Sequence, residues 1–398
     1  MFMNPQFSDR ILKSKKSFVR EILKYLGAPG IISFSGGFPN AESFPVDEMR
    51  ECLEEVMSES GKTVLQYSGS EGYLPLRQAI SKRYKDRFDM EVDPNDILIV
   101  NGSQQALDLI GKVFINKNDH VLLEDPAYLG AIQAFDLYEP SYHQVKLEDD
   151  GLDLEAARKV LDENNVKVMY LVPNFQNPSG LTYSEEKRGA LAKLMKERNV
   201  VIVEDDPYGE LRFFGKHRTP IRKLLPEQTI MMGSFSKVIA PGMRLGWLVA
   251  PKSMYDKLLI AKQGSDLHSN MISQYGIERF LSKYSLDAQI AKITKLYQVR
   301  REAMVKALET YLPNDCSFTQ PEGGMFLWVT LPEGMDAMKL FDIAAAQKNV
   351  VFVPGAPFYT DTNIHSNMRL NYTAGDPDTI TEGIKRLCEA IEELRKAS

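Results

Sequence analysis

The residues best suited to chemistry in this sequence stand just after short apolar runs. Thr229–Met232 leads into Gly233-Ser234-Phe235-Ser236-Lys237, an amine behind two small hydroxyl residues. Val200–Val203 leads into Glu204-Asp205-Asp206-Pro207-Tyr208, which offers carboxylates and a phenol. Val168–Val172 precedes Pro173-Asn174-Phe175-Gln176-Asn177-Pro178-Ser179-Gly180, and Val121–Leu123 precedes Glu124-Asp125-Pro126-Ala127-Tyr128. After Ile97–Val100, Asn101-Gly102-Ser103-Gln104-Gln105 opens a stretch with helical spacing. Free backbone N–H groups and the dipole at such a helix start favour an anion.

Together these groups suit one kind of ligand, a flat phosphorylated aldehyde. Ser103, Gln104, Ser234 and Ser236 supply donors for the phosphate, and Arg244 adds a guanidinium. Tyr128 offers a face on which a ring can stack. Asp205 can hold a proton on a ring nitrogen, while Asn177 and Tyr208 can bind a phenolic oxygen. Lys237 can condense with the aldehyde as a neutral amine and afterwards act as a base. A substrate carboxylate calls for a two-pronged guanidinium, and Arg369 in Asn367-Met368-Arg369-Leu370 fits that need.

The elements that must position these groups follow from the apolar runs. Continuous apolar segments, with Gly246–Val249 the last of them, alternate with helical stretches such as Gln104–Phe114 and Ser184–Arg198. That pattern predicts an α/β fold with a mostly parallel central sheet and helices on both faces. Ligands of such sheets bind beyond the carboxyl ends of the strands, where the polar residues fall. A long helix over Leu286–Tyr311, a strand in Gly323–Thr330 and further alternating elements predict a smaller α/β domain. The expected division is residues 1–45 as N-terminal arm and part of the small domain, 46–284 as the large cofactor-binding domain, and 285–398 as the small C-terminal domain. A chain of 398 residues is long enough for two cores. Tight turns at ligand sites are also where cis proline occurs, so Asn177–Pro178 and Asp125–Pro126 are expected to be cis.

Bulk properties exclude several classes. The sequence is 43% hydrophobic and 26% charged with a net charge of −6, and no basic block points to nucleic acid or an anionic membrane surface. Cys52, Cys316 and Cys388 are scattered and form no C-x-x-C pair, and the five histidines lack metal-ligand spacing. No disulfide framework or metal site is expected. The opening MFMNPQFSDRILKSKK has no apolar leader core, and no later run approaches the roughly 20 apolar residues of a membrane span. A cytoplasmic location is expected.

The order of the motifs resembles the class I/II aminotransferases of fold type I, enzymes dependent on pyridoxal phosphate, over nearly the whole chain. The carrying segments are SGGFPN (35–40), LQYSGSEGYLPLR (65–77), NGSQQALDL (101–109), EDPAY (124–128), PNFQNPSG (173–180), EDDPYGEL (204–211), GSFSK (233–237), PGMRLGW (241–247) and MRL (368–370). Within that family the chain is most similar to the 2-aminoadipate and kynurenine aminotransferase branch. The resemblance implies Lys237 as cofactor anchor and Asp205, three residues before Tyr208, as partner of the ring nitrogen. It implies a homodimer with shared active sites, in which Tyr67 of one subunit reaches the other's cofactor phosphate. It further implies that the backbone at Gly36 lies beside the substrate and that Arg20 can bind the distal carboxylate of an acidic substrate.

Transamination of an acidic or aromatic L-amino acid, with 2-oxoglutarate as acceptor, is therefore expected. The same cofactor permits other fates, such as β-elimination, and motifs that hold it do not separate them. A non-catalytic sensor, as in transcription regulators with such a domain, would carry a preceding DNA-binding domain, whereas this chain is expected to start on the aminotransferase arm. Ser234-Phe235-Ser236-Lys237 also fits the S-x-x-K pattern of acyl-transfer serines, but the S-D-N and K-T-G strings that accompany it do not occur.

Overall fold

A computed structural model describes residues 6–13, 22, 30–361, 363 and 365–397. Its strands are β1 (Ile32–Ser33), β2 (Ile97–Val100), β3 (His120–Asp125), β4 (Ser141–Glu148), β5 (Gly151–Leu152), β6 (Val166–Leu171) and β7 (Val201–Asp205). They continue with β8 (Thr229–Ser234), β9 (Gly246–Val249), β10 (Ser317–Phe318), β11 (Phe326–Thr330), β12 (Val350–Val351), β13 (Val353–Pro354) and β14 (Asn367–Asn371).

Among the described residues the large sheet runs in the order β2-β9-β8-β7-β6-β3-β4-β5. The pairs β8/β7, β7/β6, β6/β3 and β3/β4 are parallel, while β9 lies antiparallel to both of its neighbours. Side chains alternate between two cores. Val168, Tyr170 and Val203 join one cluster, whereas Met169, Leu171 and Ile202 join the other. A strand covered on both faces must be apolar at every position, which is why these runs are unbroken rather than alternating. The helix Ser103–Phe114 buries Ala106, Leu107, Leu109 and Ile110 against one face. Strands β4 and β5 escaped the sequence reading. Ser141–Glu148 is mostly half-buried and mixes polar with apolar residues, so it lacks the continuous apolar signature.

A second, antiparallel sheet is ordered β10-β11-β14-β13, and β1 pairs with β12 in parallel. The Phe34 amide donates to the Val351 carbonyl at 2.7 Å, and the Asn371 amide donates to the Phe34 carbonyl at 2.9 Å. The N-terminal segment is thus stitched to the C-terminal sheet. Helices Leu286–Tyr311 and Pro377–Ala397 pack beside one another on this side. Both expected X-Pro bonds, Asp125–Pro126 and Asn177–Pro178, are cis. No helix among the described residues is long and apolar enough to cross a membrane.

The loop carrying Asn177 is tied down from below by Arg188, whose side chain is fully buried. Its guanidinium donates to the carbonyls of Tyr183, Thr219 and Pro173 and to Asn174 Oδ1, at 2.7–3.1 Å. It also lies 3.9 Å from the buried Glu204 carboxylate. Removing one member of a buried charged pair leaves the other unpaired, which costs about 3–5 kcal/mol. Arg188→Met is therefore expected to lower unfolding stability by about 3 kcal/mol or more, read from denaturant midpoints. Arg188→Lys, which lacks the fork that serves four acceptors, should recover only part of the loss.

Candidate active site

The carboxyl ends of β7 and β8, the loop after β6 and the start of helix Ser103–Phe114 enclose a cavity of about 420 Å³. Ten residues expected from sequence line it. Ser103, Gln104, Ser234, Ser236 and Arg244 sit towards one side, and Tyr128, Asn177, Asp205, Tyr208 and Lys237 complete it. Gly102 lines it too, as the helix start read from sequence implied, and three further lining residues were not expected: Phe38, Val172 and Pro207. Each lies directly beside an expected residue or motif, and that adjacency was the only signal available.

Among the described residues Lys237 is an amine without a carboxylate partner. Its Nζ donates to the Gly37 carbonyl at 2.8 Å and lies 5.9 Å from the centre of the Tyr208 ring. Burial, with the charges of Arg369 and Arg244, lowers it to about 8. A substantial share is then neutral near physiological pH, as nucleophilic attack on a carbonyl requires. The two neighbouring aspartates differ in their commitments. Asp206 Oδ1 accepts from Asn174 Nδ2 at 3.0 Å and from the Gly209 amide at 2.9 Å, so it is spent on the loop. Asp205 is 2% exposed. Its Oδ2 accepts from the Tyr170 hydroxyl at 2.7 Å, while its Oδ1 is buried with no hydrogen-bond partner among the described residues. Burial raises this carboxyl to about 7, against the lowering effect of Tyr170.

The anion side shows the same kind of unmet demand. Ser103 Oγ is buried without a partner at the first turn of its helix. Gly102 takes a φ of +77°, and a side chain there would stand 2.8 Å from the Arg244 guanidinium, so only glycine admits that close approach. Ser234 Oγ accepts from the Ser236 amide at 3.1 Å. Gln104 has its amide tied to the Gly130 carbonyl at 3.0 Å.

Arg369 stands behind the cavity rather than in its wall. It is 3% exposed and lies 4.2 Å from the centre of the Phe326 ring and 5.4 Å from that of Phe358. Nη1 donates to Asn177 Oδ1 and Nη2 to the Ser35 carbonyl, both at 2.9 Å, while Nε is buried and unpaired. Asn177 Nδ2 reaches the Tyr208 hydroxyl at 3.3 Å, so arginine, amide and phenol form one chain of contacts. Gly36 is buried next to the carbonyl that receives Lys237. Tyr67 is 79% exposed, away from the cavity, with its ring edge-on to His268 at 5.9 Å. Arg20 lies outside the described residues.

An unpaired carboxylate oxygen, an unpaired hydroxyl in a cavity shared with a guanidinium and a half-buried amine of lowered basicity fit a phosphorylated pyridine aldehyde. Such a fold and donor set define an enzyme that works on amino groups through pyridoxal phosphate. The chain belongs to the class I and II aminotransferases, whose family pattern matches residues 30–387. It is a pyridoxal-phosphate-dependent transaminase. It is 43% identical to aromatic-amino-acid aminotransferase 1 of Thermococcus litoralis, over 98% of this chain and 95% of that one. It is 41% identical to the 2-aminoadipate transaminase of Thermus thermophilus, over 95% and 94%. The crystal structure of Pyrococcus horikoshii kynurenine aminotransferase superposes with a TM-score of 0.93 at 44% identity, covering 97% of each chain.

The raised Asp205 carboxyl has a consequence for the cofactor-free protein. An unfolded aspartate releases its proton near pH 4. The folded one keeps it to about pH 7. Between these values the folded chain binds the extra proton, so this group removes stability as pH rises through that window. Asp205→Asn is therefore expected to gain stability relative to the cofactor-free parent between pH 5 and 7. Denaturant unfolding at both pH values tests this, and parallel changes in the two proteins would refute it.

Proposed function

We propose that this transaminase takes the amino group of an acidic L-amino acid, such as glutamate or 2-aminoadipate, or of an aromatic one, and passes it to 2-oxoglutarate. The carrying observation for the site is the meeting, in one cavity, of the Lys237 amine with the unpaired oxygens of Asp205 and Ser103. When bound, pyridoxal phosphate supplies an aldehyde that joins amines and a ring that accepts the electron pair left by a lost α-proton.

The chain's own residues supply the rest. Ser103, Gln104, Ser234, Ser236 and Arg244, with the start of helix Ser103–Phe114, hold the phosphate. Tyr128 covers the ring, Asp205 keeps the proton on the ring nitrogen, and Asn177 and Tyr208 hold the phenolic oxygen. Lys237 would anchor the cofactor, and its Nζ would carry a proton to and from the substrate α-carbon. Arg369 binds the α-carboxylate with Asn177 beside it, and the Gly36 backbone borders the substrate. Arg20 reads a distal carboxylate.

The enzyme acts as a homodimer in the cytoplasm, with Tyr67 of one protomer entering the neighbouring site. The exposed run of Val46, Met57, Leu65 and Tyr67 supports such an interface. The three free thiols accord with a reducing compartment. The chain divides near residues 45 and 284, in line with the pairing of β1 to β12 and the separate antiparallel sheet.

Three substitutions test this reading. Lys237→Ala should abolish both turnover and the visible absorption of the bound cofactor, and retained activity would overturn the central assignment. Arg369→Ala should raise KM for every amino acid tried, by about tenfold or more for a lost charge-assisted contact. Arg20→Ala should raise KM only for acidic ones, and equal losses across substrates would remove Arg20 from the specificity role.

A further inference from the structure

Asp205 has a neighbour that nothing above assigns to the reaction. Strands β6 and β7 run parallel, with Tyr170 opposite Val203. Asp205 lies two residues beyond Val203, so it points to the same face as Tyr170 on the adjacent strand. A diagonal pair of this kind is within reach of a long aromatic side chain. The Tyr170 hydroxyl spans the gap and donates to Asp205 Oδ2 at 2.7 Å, with both residues buried. The ring is fully buried and held edge-on against Phe135 at 6.1 Å.

A second buried tyrosine–carboxylate pair shows what is unusual about this one. Glu124 accepts from the Tyr183 hydroxyl and the Val172 amide on Oε1, and from Gln176 on Oε2. Both of its oxygens are used, as a structural carboxylate requires. Asp205 has one oxygen bonded by Tyr170 and the other left unpaired, and it lines the cavity. A hydrogen bond to the charged form favours that form, whereas burial opposes it.

We propose that Tyr170 is a positioning residue of the transaminase. Its hydroxyl fixes the Asp205 carboxyl with one oxygen free for the cavity, and favours its ionised form against the cost of burial. The inference rests on the assignment of Asp205 to the ring nitrogen.

Tyr170→Phe removes the hydroxyl and keeps the ring. Asp205 then protonates more readily, so the acidic limb of the kcat–pH profile moves to higher pH. Loss of a hydrogen bond to a charged group predicts kcat lower by about tenfold or more. KM for the amino acid should stay within about twofold, because Tyr170 touches no assigned substrate contact. Titration of the cofactor-free protein with pyridoxal phosphate should show affinity weakened by a similar factor. With an analogue bearing carbon in place of the ring nitrogen, the state of Asp205 no longer matters, and wild type and variant should turn over at similar rates. Phe135→Leu, which loosens the packing and keeps the hydroxyl, should lower stability without moving the pH limb.

If Tyr170→Phe matches wild type in kcat, limb and affinity, or if Phe135→Leu reproduces its signature, the proposal fails. Should the phenylalanine variant not fold, 3-fluorotyrosine at position 170 keeps the hydroxyl with a more acidic proton. It should move the limb to lower pH, and an unmoved limb would equally overturn the idea. Asp205→Asn separates the two levels of the argument. If it leaves cofactor affinity and kcat unchanged, the reading of the cavity is wrong, whereas its loss beside a normal Tyr170→Phe removes only this inference.

Discussion

Carboxyl groups buried at the carboxyl ends of a parallel sheet have to be answered by hydrogen bonds, and most of this architecture serves that demand. Glu124, Glu204 and Asp205 end or nearly end their strands, with exposures of 0–2%. An unanswered charge at such a depth costs several kcal/mol, so loops are shaped to meet it. Glu204 accepts the amides of Ile221 and Arg222 at 2.9 and 2.8 Å and has Arg188 beside it. Glu124 gathers Val172, Gln176 and Tyr183. Through Gln176, which also donates to the Pro126 carbonyl at 2.7 Å, it joins the two cis-proline turns. The loops that carry Asn177 and Tyr128 are held by carboxylates that take no part in binding.

Satisfaction is not complete. Among the described residues, buried side-chain atoms without a partner occur on Arg212, Arg218, Thr229 and Asn371 outside the cavity lining, and Asp205 Oδ1, Ser103 Oγ and Arg369 Nε fall in or beside the cavity. The difference between a structural and a functional carboxylate here is one oxygen. Lys237 belongs to the same logic. It is half-buried without a counter-ion among the described residues and donates to a backbone carbonyl, and desolvation lowers its basicity.

Much of this was legible because strands buried on both faces leave unbroken apolar runs, and residues such as Lys237, Asp205 and Asn177 follow those runs directly. The sheet order and the reversed direction of β9 were not legible, since register depends on partners distant in sequence. Strand β4 was hidden by its mixed composition and partial exposure. Tyr170 reads as one more core residue in Val-Met-Tyr-Leu, and only its register against β7 brings its hydroxyl to Asp205. Phe38 stood inside a recognised motif, but nothing in its type set it apart from core packing. The roles given to Tyr67 and Arg20 came from resemblance alone, because local spacing says nothing about what a second copy presents.

Glycines pack closely beside the part of the cavity that Gly102 lines. A side chain on Gly246 would meet the Gly233 carbonyl at 2.8 Å and Gly102 Cα at 3.1 Å, and one on Gly233 would meet the Trp247 ring at 2.3 Å. Three strand ends therefore abut with no room for a methyl group. Such a surface offers mutation almost nothing to vary, so sequence drift there is closed off. The opposite side of the cavity, where Phe38 and the aromatic surroundings of Arg369 come from loops and the second sheet, has side chains to exchange. Variation in the shape of the cavity is therefore open on that side.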